Sequence, residues 1–230
     1  AYTKDLCGYA ERGEKEWKRL LGSFFAEGVN IAVVKNDEGQ IEGYAVYRLG
    51  APEIPVTEFV YTTRRVQRGL LNYFYNHRSQ GESIRWNEGL HDTGYRFVPD
   101  GKTGHTTMPY MMARIVDVET ALTTVPVNPE AVMMPITLNI KVTDTLCDWN
   151  NGVFALSLGE STLPNVKRVS AESVDEIDIT IDIGGLTVLL MGAVSAKDLV
   201  FEGKLQGESH WIDYLDMVYP KENTYINEWW

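Results

Sequence analysis

The sequence is poor in the features that mark several large protein classes. Its two cysteines, Cys7 and Cys147, lie far apart without metal-ligand spacing, so we expect free thiols in a reducing cytoplasm, although a disulfide bridge stays open. No run of about 18 apolar residues occurs, so no membrane-spanning helix is expected. Positive charge is scarce: 21 lysines and arginines face 32 acidic residues, and the net charge of −11 argues against nucleic-acid binding.

Several catalytic motifs are incomplete. Residues 101–103, Gly-Lys-Thr, resemble the end of a phosphate-binding loop, but Arg96 stands where that loop needs its first glycine. Asp178 and Asp182 alternate with isoleucines, which is typical of a solvated strand face rather than of a catalytic carboxylate pair. The histidines share no spacing that suits a metal: His77, His91, His105 and His210. We therefore expect neither a metal site nor a nucleotide site.

The first half of the chain has an α+β pattern around a central sheet. Apolar residues recur with helical spacing from Trp17 to Phe25, and a turn at residues 36–39 separates two strand-like runs. The predicted order is helix, strand, strand, strand, helix, strand, at residues 17–25, 30–35, 41–49, 54–62, 66–77 and 83–87. Residues 88–108 are irregular, and we expect a flexible join between Gly89 and Met108.

The second half is also predicted to be α+β. It opens with an apolar run at residues 109–117 that indicates a buried strand, and Asp117 is a predicted cap for the helix that follows. Further strands are expected at residues 136–142, 153–158 and 176–183. Helices are expected at residues 118–122, 186–191 and 197–201, with a last helix around Trp211 and Leu215 that ends before Pro220.

Residues 62–71 follow a predicted strand and open a helix. At this position the N-acetyltransferase superfamily offers backbone amides to the pyrophosphate of an acyl-CoA, within the motif Gln/Arg-x-x-Gly-x-Gly/Ala. With Gly69 as the central glycine, Val66 and Leu71 occupy the two other motif positions, and neither fits. The first half therefore resembles an acetyltransferase core whose phosphate loop is degenerate and does not bind acetyl-CoA.

The chain ends in an aromatic pair, Trp229 and Trp230, behind Tyr225 and Ile226. Burying one large aromatic side chain contributes about 2–3 kcal/mol, enough to hold a terminus that would otherwise fray. A held terminus places its carboxylate at a defined position, where it can take part in chemistry. The alternative is a tail that packs on the core and does nothing more.

Three segments together resemble the C-terminal portion of the enhanced intracellular survival (Eis) family of N-acetyltransferases: Met108–Leu122, Leu215–Pro220 and Tyr225–Trp230. Two further segments, Asp144–Phe154 and Ile183–Gly192, also fit. The resemblance implies that residues 1–108 form a degenerate acetyltransferase (GNAT)-like domain and residues 109–230 a sterol-carrier-protein-like domain, both α+β. It also implies that the catalytic acetyltransferase domain, which precedes these two in the family, is missing here.

The resemblance implies an acyltransferase in which the carboxylate of Trp230 deprotonates the substrate amine. A tyrosine of the missing domain then protonates the thiolate of coenzyme A. Glu228 and Trp229 are expected to help bind the substrate, an amine that the acidic composition allows to be polycationic. Acetyl-CoA is thus the co-substrate of the intact enzyme, no cofactor binds to this chain alone, and a cytoplasmic homo-oligomer is expected.

A second function stays open at this point. The sterol-carrier-like domain alone could bind an apolar ligand, which would make the chain a carrier module without catalysis. The two functions differ in what they require of the C-terminus, because a carrier needs no fixed terminal carboxylate.

Overall fold

The residues that the structure describes include nine β-strands in two sheets and six α-helices. A computed structural model provides residues 2–50, 52–97, 103–108, 110–159, 161–226 and 228. The helices are α1 (Glu14–Ala26), α2 (Arg64–Asn76), α3 (Val118–Thr124), α4 (Ile183–Leu190), α5 (Ala196–Phe201) and α6 (Ser209–Val218). The strands are β1 (Asn30–Lys35), β2 (Ile41–Tyr47), β3 (Glu53–Tyr61), β4 (Ser83–Trp86), β5 (Ile136–Thr143), β6 (Gly152–Leu158), β7 (Asn165–Val169), β8 (Ile179–Asp182) and β9 (Leu205–Gly207).

Contacts along the chain divide it into two units. Unit 1 comprises Ala1–Thr106 together with Tyr225–Trp230, and unit 2 comprises Thr107–Thr224. The last residues of the sequence are thus grouped with the first unit rather than with the second. The predicted domain boundary at residues 108 and 109 and the predicted flexible join stay predictions, and residues 98–102 of that join lie outside the described residues.

The sheet of unit 1 has the order β1-β2-β3-β4, antiparallel except for the parallel pair of β3 and β4. Helix α2 covers one face of this sheet with Val66, Leu70 and Phe74, each at most 3% exposed. Val66 lies directly over Gly43, where a Cβ atom would be 2.4 Å from the valine Cγ1. Glycine at this position therefore allows helix and sheet to pack this closely.

A bulge in β3 determines where its one buried carboxylate points. Val46 is paired with Glu58 and Tyr47 with Val56, so that Thr57 is an extra residue in the strand. Glu58 and Phe59 are neighbours in the strand, so their side chains face opposite sides of the sheet. Both residues are nevertheless buried, at 4% exposure each. Phe59 packs with the core under α2, and Glu58 therefore lies on the other face of the sheet.

The sheet of unit 2 has the order β7-β6-β5-β8-β9, with β5 and β8 parallel and the other pairs antiparallel. Helices α3, α4, α5 and α6 contribute buried apolar side chains to the same core as these strands. Its fully buried members include Leu122, Leu138, Ile140, Leu156, Ile181, Leu186 and Leu199. Cys7 in unit 1 and Cys147 in unit 2 form no disulfide bond in the described structure.

The prediction of a strand at residues 109–117 is wrong for the part of this segment that the structure describes. Residues 110–116 belong to no sheet and are largely exposed, with Met112 at 98%. Side chains hold the segment instead: the Ile115 N–H donates to Thr187 Oγ1 at 3.2 Å, and Asn150 donates to the Val116 carbonyl at 3.2 Å. An apolar run favours burial but supplies no partner strand, and a β-strand requires one.

The alternating strand predicted at residues 176–183 is shorter in the structure. Asp182 ends β8 and caps α4, accepting from the Gly185 N–H at 2.6 Å. Asp178 accepts from the Asn139 N–H at 2.7 Å. Both carboxylates thus bind backbone amides, which gives them a structural role beyond facing solvent.

Candidate functional site

A buried arginine of unit 1 binds carboxylates from two distant parts of the chain. Arg12 Nη1 lies 2.9 and 3.0 Å from the two carboxylate oxygens of Glu58, and its Nε donates to Glu228 Oε1 at 2.9 Å. The side chains of Arg12 and Glu58 are 5% and 4% exposed, and that of Glu228 is 24% exposed. One guanidinium therefore links the N-terminal segment, strand β3 and the C-terminal segment.

Aromatic side chains surround this group. The Tyr44 hydroxyl donates to Glu58 Oε2 at 2.7 Å, so the buried carboxylate has a second hydrogen-bond donor besides the arginine. The Trp17 ring centre lies 5.1 Å from the guanidinium carbon of Arg12, within cation–π distance. Trp17 and Tyr44 also contact each other edge to face at 6.0 Å. Few water molecules can compete for these bonds, which strengthens each of them.

The charges of the group are well defined. Burial by itself lowers the pKa of Arg12, but its bonds to Glu58 and Glu228 outweigh this effect and raise the pKa overall. Burial and the neighbouring charge of Glu58 raise the pKa of Tyr44, so the phenol stays a neutral donor. Two carboxylates on one guanidinium leave one formal negative charge in excess. The group can therefore attract a cation.

The C-terminal segment is held in unit 1 at a second point. The Tyr225 N–H donates to the Cys7 carbonyl at 2.9 Å, and the Tyr225 ring meets the Tyr2 ring edge to face at 5.6 Å. Burial, reinforced by the charge of Glu58, raises the pKa of Tyr225 to about 12. Of the residues that the sequence singled out, Glu228 lies in this region, whereas Trp229 and Trp230 lie outside the described residues.

A second acidic cluster in unit 1 consists of Glu88 and Asp92, which follow strand β4 in the sequence. Trp86 Nε1 donates to Glu88 at 2.9 Å, His105 Nε2 lies 3.6 Å from the same carboxylate, and the Tyr61 hydroxyl donates to Asp92. Burial raises the pKa of Glu88, and the nearby charge of Asp92 adds to this effect while the Trp86 bond opposes it. Side chains of unit 1 already occupy these carboxylates, so the cluster has a structural use of its own.

The three motif positions of the degenerate phosphate loop, Val66, Gly69 and Leu71, lie within helix α2. Thr63 caps this helix through its hydroxyl, which accepts from the Val66 N–H at 3.3 Å. Val66, at the first motif position, is buried against the sheet and packs in the core of unit 1.

In unit 2 the buried carboxylate of Asp144 binds groups close to it in sequence. It accepts from Asn150 Nδ2 at 2.9 Å and from the N–H groups of Leu146 and Cys147 at 2.9 and 3.1 Å. Arg114 Nη2 lies 2.6 and 2.7 Å from its two oxygens. Hydrogen bonds, that of Asn150 first, hold the pKa of Asp144 well below its usual range. This arrangement closes a loop and stabilises the fold.

Sequence reasoning missed Arg12, Glu58 and Tyr44. One available signal was Glu58 itself, a lone carboxylate inside the otherwise largely apolar run of β3. Across the described ranges, no group of three or more His, Cys, Asp or Glu side chains is arranged to hold a metal ion. In the same part of the chain, no helix combines the length and apolar character needed to cross a membrane.

Comparison with known families covers both halves of the chain. Residues 8–115 match the family model of an acetyltransferase (GNAT) domain, and residues 118–227 match that of a sterol carrier protein domain. No curated protein sequence is significantly similar to the chain.

Solved structures resemble both domains together. A probable N-acyltransferase from Enterococcus faecalis has a TM-score of 0.77 at 25% identity, covering 88% of this chain and 50% of its own. A GCN5-related N-acetyltransferase from Anabaena variabilis has a TM-score of 0.76 at 19% identity, covering 98% and 56%. Eis1 from Mycobacterium abscessus has a TM-score of 0.66 at 20% identity, covering 97% and 56%.

The chain thus spans about half the length of these solved structures. Its fold class was predicted correctly: it has a mixed α/β fold in which an acetyltransferase (GNAT) domain, a fold that serves acyl transfer, is followed by a sterol-carrier-like domain.

Proposed function

We propose that the chain is the substrate-side and scaffold portion of an Eis-family N-acetyltransferase, which transfers the acetyl group of acetyl-CoA to an amine. The observation that carries this proposal is the ion pair between Arg12 and Glu228, which holds the C-terminal segment inside the GNAT unit. Trp230 stands two residues after Glu228, and two residues reach at most about 7 Å. The likeness to Eis1 and to two further acyltransferase structures supports the same function.

The proposed base is the terminal carboxylate of Trp230. A protonated amine is not nucleophilic, so the carboxylate first takes one of its protons. The amine nitrogen then attacks the thioester carbonyl, the C–N bond forms and the C–S bond breaks. The departing thiolate of coenzyme A takes a proton from a tyrosine of the catalytic domain, and the second proton that the nitrogen loses as the amide forms returns to this tyrosine. An α-carboxyl group has an ordinary pKa near 3.5, and apolar surroundings such as tryptophan rings would raise it toward a useful range.

Acetyl-CoA binding is proposed to lie outside this chain. The residues of the degenerate loop are part of α2, and Val66 packs into the core where a phosphate loop would present free amides. A second acetyltransferase domain would then supply the co-substrate site and the tyrosine acid. The solved structures with the same fold are about twice as long as this chain, which leaves room for such a domain.

The proposed substrate is a small-molecule amine that can carry several positive charges. The excess negative charge around Arg12 and the overall charge of −11 favour such cations over anionic substrates. In this proposal Glu228 and Trp229 border the amine. A cytoplasmic location and a homo-oligomeric assembly belong to the same proposal and are supported only by the resemblance to the Eis family.

The alternative function, a carrier of apolar ligands, has less support. Two clefts in unit 2 have volumes of about 190 and 220 Å³; the first lies between α3 and α4 and the second between α5 and α6. Sites for drug-sized ligands usually have about 300–1,000 Å³, so neither cleft suits a sterol-sized molecule.

Extending the chain beyond Trp230 tests the proposed base. Two added residues in the intact protein would shift the carboxylate by several ångströms, at about 3.3–3.6 Å per residue, and turnover should fall about 100-fold or more. The melting temperature should stay within a few degrees, because no buried side chain changes. The matched control inserts the same two residues between Asp37 and Glu38, in an exposed hairpin turn. Normal turnover of the extended enzyme would refute the carboxylate as the base.

A further inference from the structure

We propose that Arg12 is a positioning residue that fixes the C-terminal segment, and with it the terminal carboxylate. Its catalytic consequence rests on the proposed function above, but the anchoring itself does not. Arg12 is nearly fully buried and binds Glu228, two residues before Trp230, whose carboxylate is the proposed base. Its guanidinium forms ion pairs with both the central strand and the C-terminal segment.

Arg12 is itself held by a rigid element. Glu58 lies in β3 next to the bulge, paired with Val46 of β2, and the Tyr44 hydroxyl orients its carboxylate. Glu58 binds Nη1 of the guanidinium, whereas Glu228 binds Nε. The two carboxylates therefore use different edges of one planar group. A lysine ammonium has no such fixed edges and could not define both directions.

The charge of Arg12 is as important as its geometry. Glu58 and Glu228 both approach the same point, and without a cation between them they would repel each other in a poorly hydrated place. Arg12 thus both attracts Glu228 and screens it from Glu58. Replacement of Glu228 by a neutral residue removes the attraction but leaves the buried Arg12–Glu58 pair intact.

Two anchors define the path of the segment. The backbone bond from Tyr225 to Cys7 fixes one point, and the ion pair of Glu228 fixes another three residues later. A single anchor would let the remaining residues swing, whereas two anchors define a direction. The amide proton of Tyr225 reports on this arrangement, because its exchange with solvent requires the segment to open.

Hydrogen exchange in Glu228→Ala tests the anchor in the 230-residue chain. The Tyr225 amide should exchange at least about tenfold faster than in the parent, because a partly buried charge-assisted bond is lost. Amides of β2 and β3 should keep their rates, which shows that unit 1 stays folded. The control is Glu27→Ala, which breaks the exposed pair with Arg48 in the same unit and should leave the Tyr225 amide unchanged. An unchanged Tyr225 rate in Glu228→Ala would overturn the inference.

Steady-state acetylation by the full-length protein separates this inference from the proposed function. Loss of positioning should lower kcat of Glu228→Ala at least about tenfold, in addition to any rise in KM from the lost contact with the amine. A rise in KM at unchanged kcat would mean that Glu228 acts only by binding the substrate, and the positioning role would fall. Faster exchange with both constants unchanged would leave Arg12 as the anchor of the segment and would instead refute the terminal carboxylate as base.

Discussion

Each of the two units contains a buried carboxylate that is paired with an arginine, but the two pairs are built differently. In unit 2, Asp144 has four donors, and its arginine partner Arg114 is 39% exposed at the edge of the cluster. In unit 1, Glu58 has two donating side chains, and its partner Arg12 is only 5% exposed. Asp144 could keep most of its bonds without its arginine, whereas Glu58 could not.

The difference follows from the origin of the partners. The donors to Asp144 come from residues 114–150 of one unit and close a loop at the end of β5. Arg12 instead joins segments separated by up to 216 residues, including the last residues of the sequence. A local cluster stabilises a turn, while a cluster of distant segments determines where those segments lie. We therefore regard Asp144 as structural and Arg12 as the residue that positions a functional segment.

The largest expected effect is that of Arg12→Met. It would leave Glu58 buried without a cation, and breaking a buried pair in this way costs about 3–5 kcal/mol. Chemical denaturation followed by peptide-resolved hydrogen exchange should show that unit 1 unfolds at lower denaturant while unit 2 is unchanged. Arg48→Met is the matched control, since the pair of Arg48 and Glu27 is about half exposed and should contribute at most about 1 kcal/mol. Equal effects of the two substitutions would remove the contrast between buried and surface pairs.

Asp144→Asn should destabilise unit 2 strongly. The Leu146 and Cys147 N–H groups donate to Oδ1 and the Asn150 amide donates to Oδ2, so the NH2 group of an asparagine must face at least one of these donors. We expect the melting temperature of unit 2 to fall by about 5–10 °C, as for the loss of a buried hydrogen-bond network in a domain of this size. Calorimetry of the variant measures this. A melting temperature within 2 °C of the parent, about the scatter of such measurements, would show that Asp144 is dispensable.

Asp144 of unit 2 and Tyr225 of unit 1 should contribute to the pH dependence of stability in opposite directions. The pKa of Asp144 is lowered in the fold, so its contribution to stability is present above about pH 4, the ordinary range of aspartate, and is lost as the pH falls below it. The pKa of Tyr225 is raised to about 12, so its contribution is present below pH 10 and declines as the pH rises from about 10 to 12. Peptide-resolved hydrogen exchange, corrected for the intrinsic rate at each pH, should show the peptide around Asp144 opening as the pH falls and the peptide around Tyr225 opening as the pH rises. Opening of either peptide only at the opposite end of the pH range would contradict this assignment.

The smallest expected effect is that of Arg114→Met. Asp144 would keep Asn150 and two backbone donors, so the melting temperature of unit 2 should fall by no more than about 3 °C. This variant is the counterpart of Arg12→Met, and together the two variants compare how much each buried carboxylate depends on its arginine. A loss of stability as large as that from Arg12→Met would show that both arginines are equally necessary.

The sequence predicted those parts of the fold that depend on local signals. Strand β1 was expected at its observed bounds, and α1, α2, β5 and β6 differ from expectation by a few residues at their ends. The cap of α3 was also expected, and Asp117 accepts from the Thr120 N–H at 2.7 Å. Periodicity and capping act within a few residues, so one sequence is enough to identify them.

Features that depend on distant partners could not be predicted. Strand β9 has only three residues and exists because β8 lies beside it. The apolar segment at residues 110–116 lacks such a partner and is not a strand. For the candidate site, Glu228 was singled out from the sequence, but Arg12 was not, because nothing near residue 12 indicates a bond to a residue 216 positions later.

The place of Tyr225 and Glu228 in unit 1 also has a consequence for synthesis on the ribosome. Sheet β1–β4 and Arg12 leave the exit tunnel early, but the residues that complete unit 1 emerge only after all of unit 2 has been translated. At about 5–20 residues per second this delay is roughly 6–24 seconds. During that interval the nascent first unit carries Arg12 and Glu58 without their C-terminal partner. The contact that completes unit 1 can therefore form only after the whole of unit 2 has been synthesised.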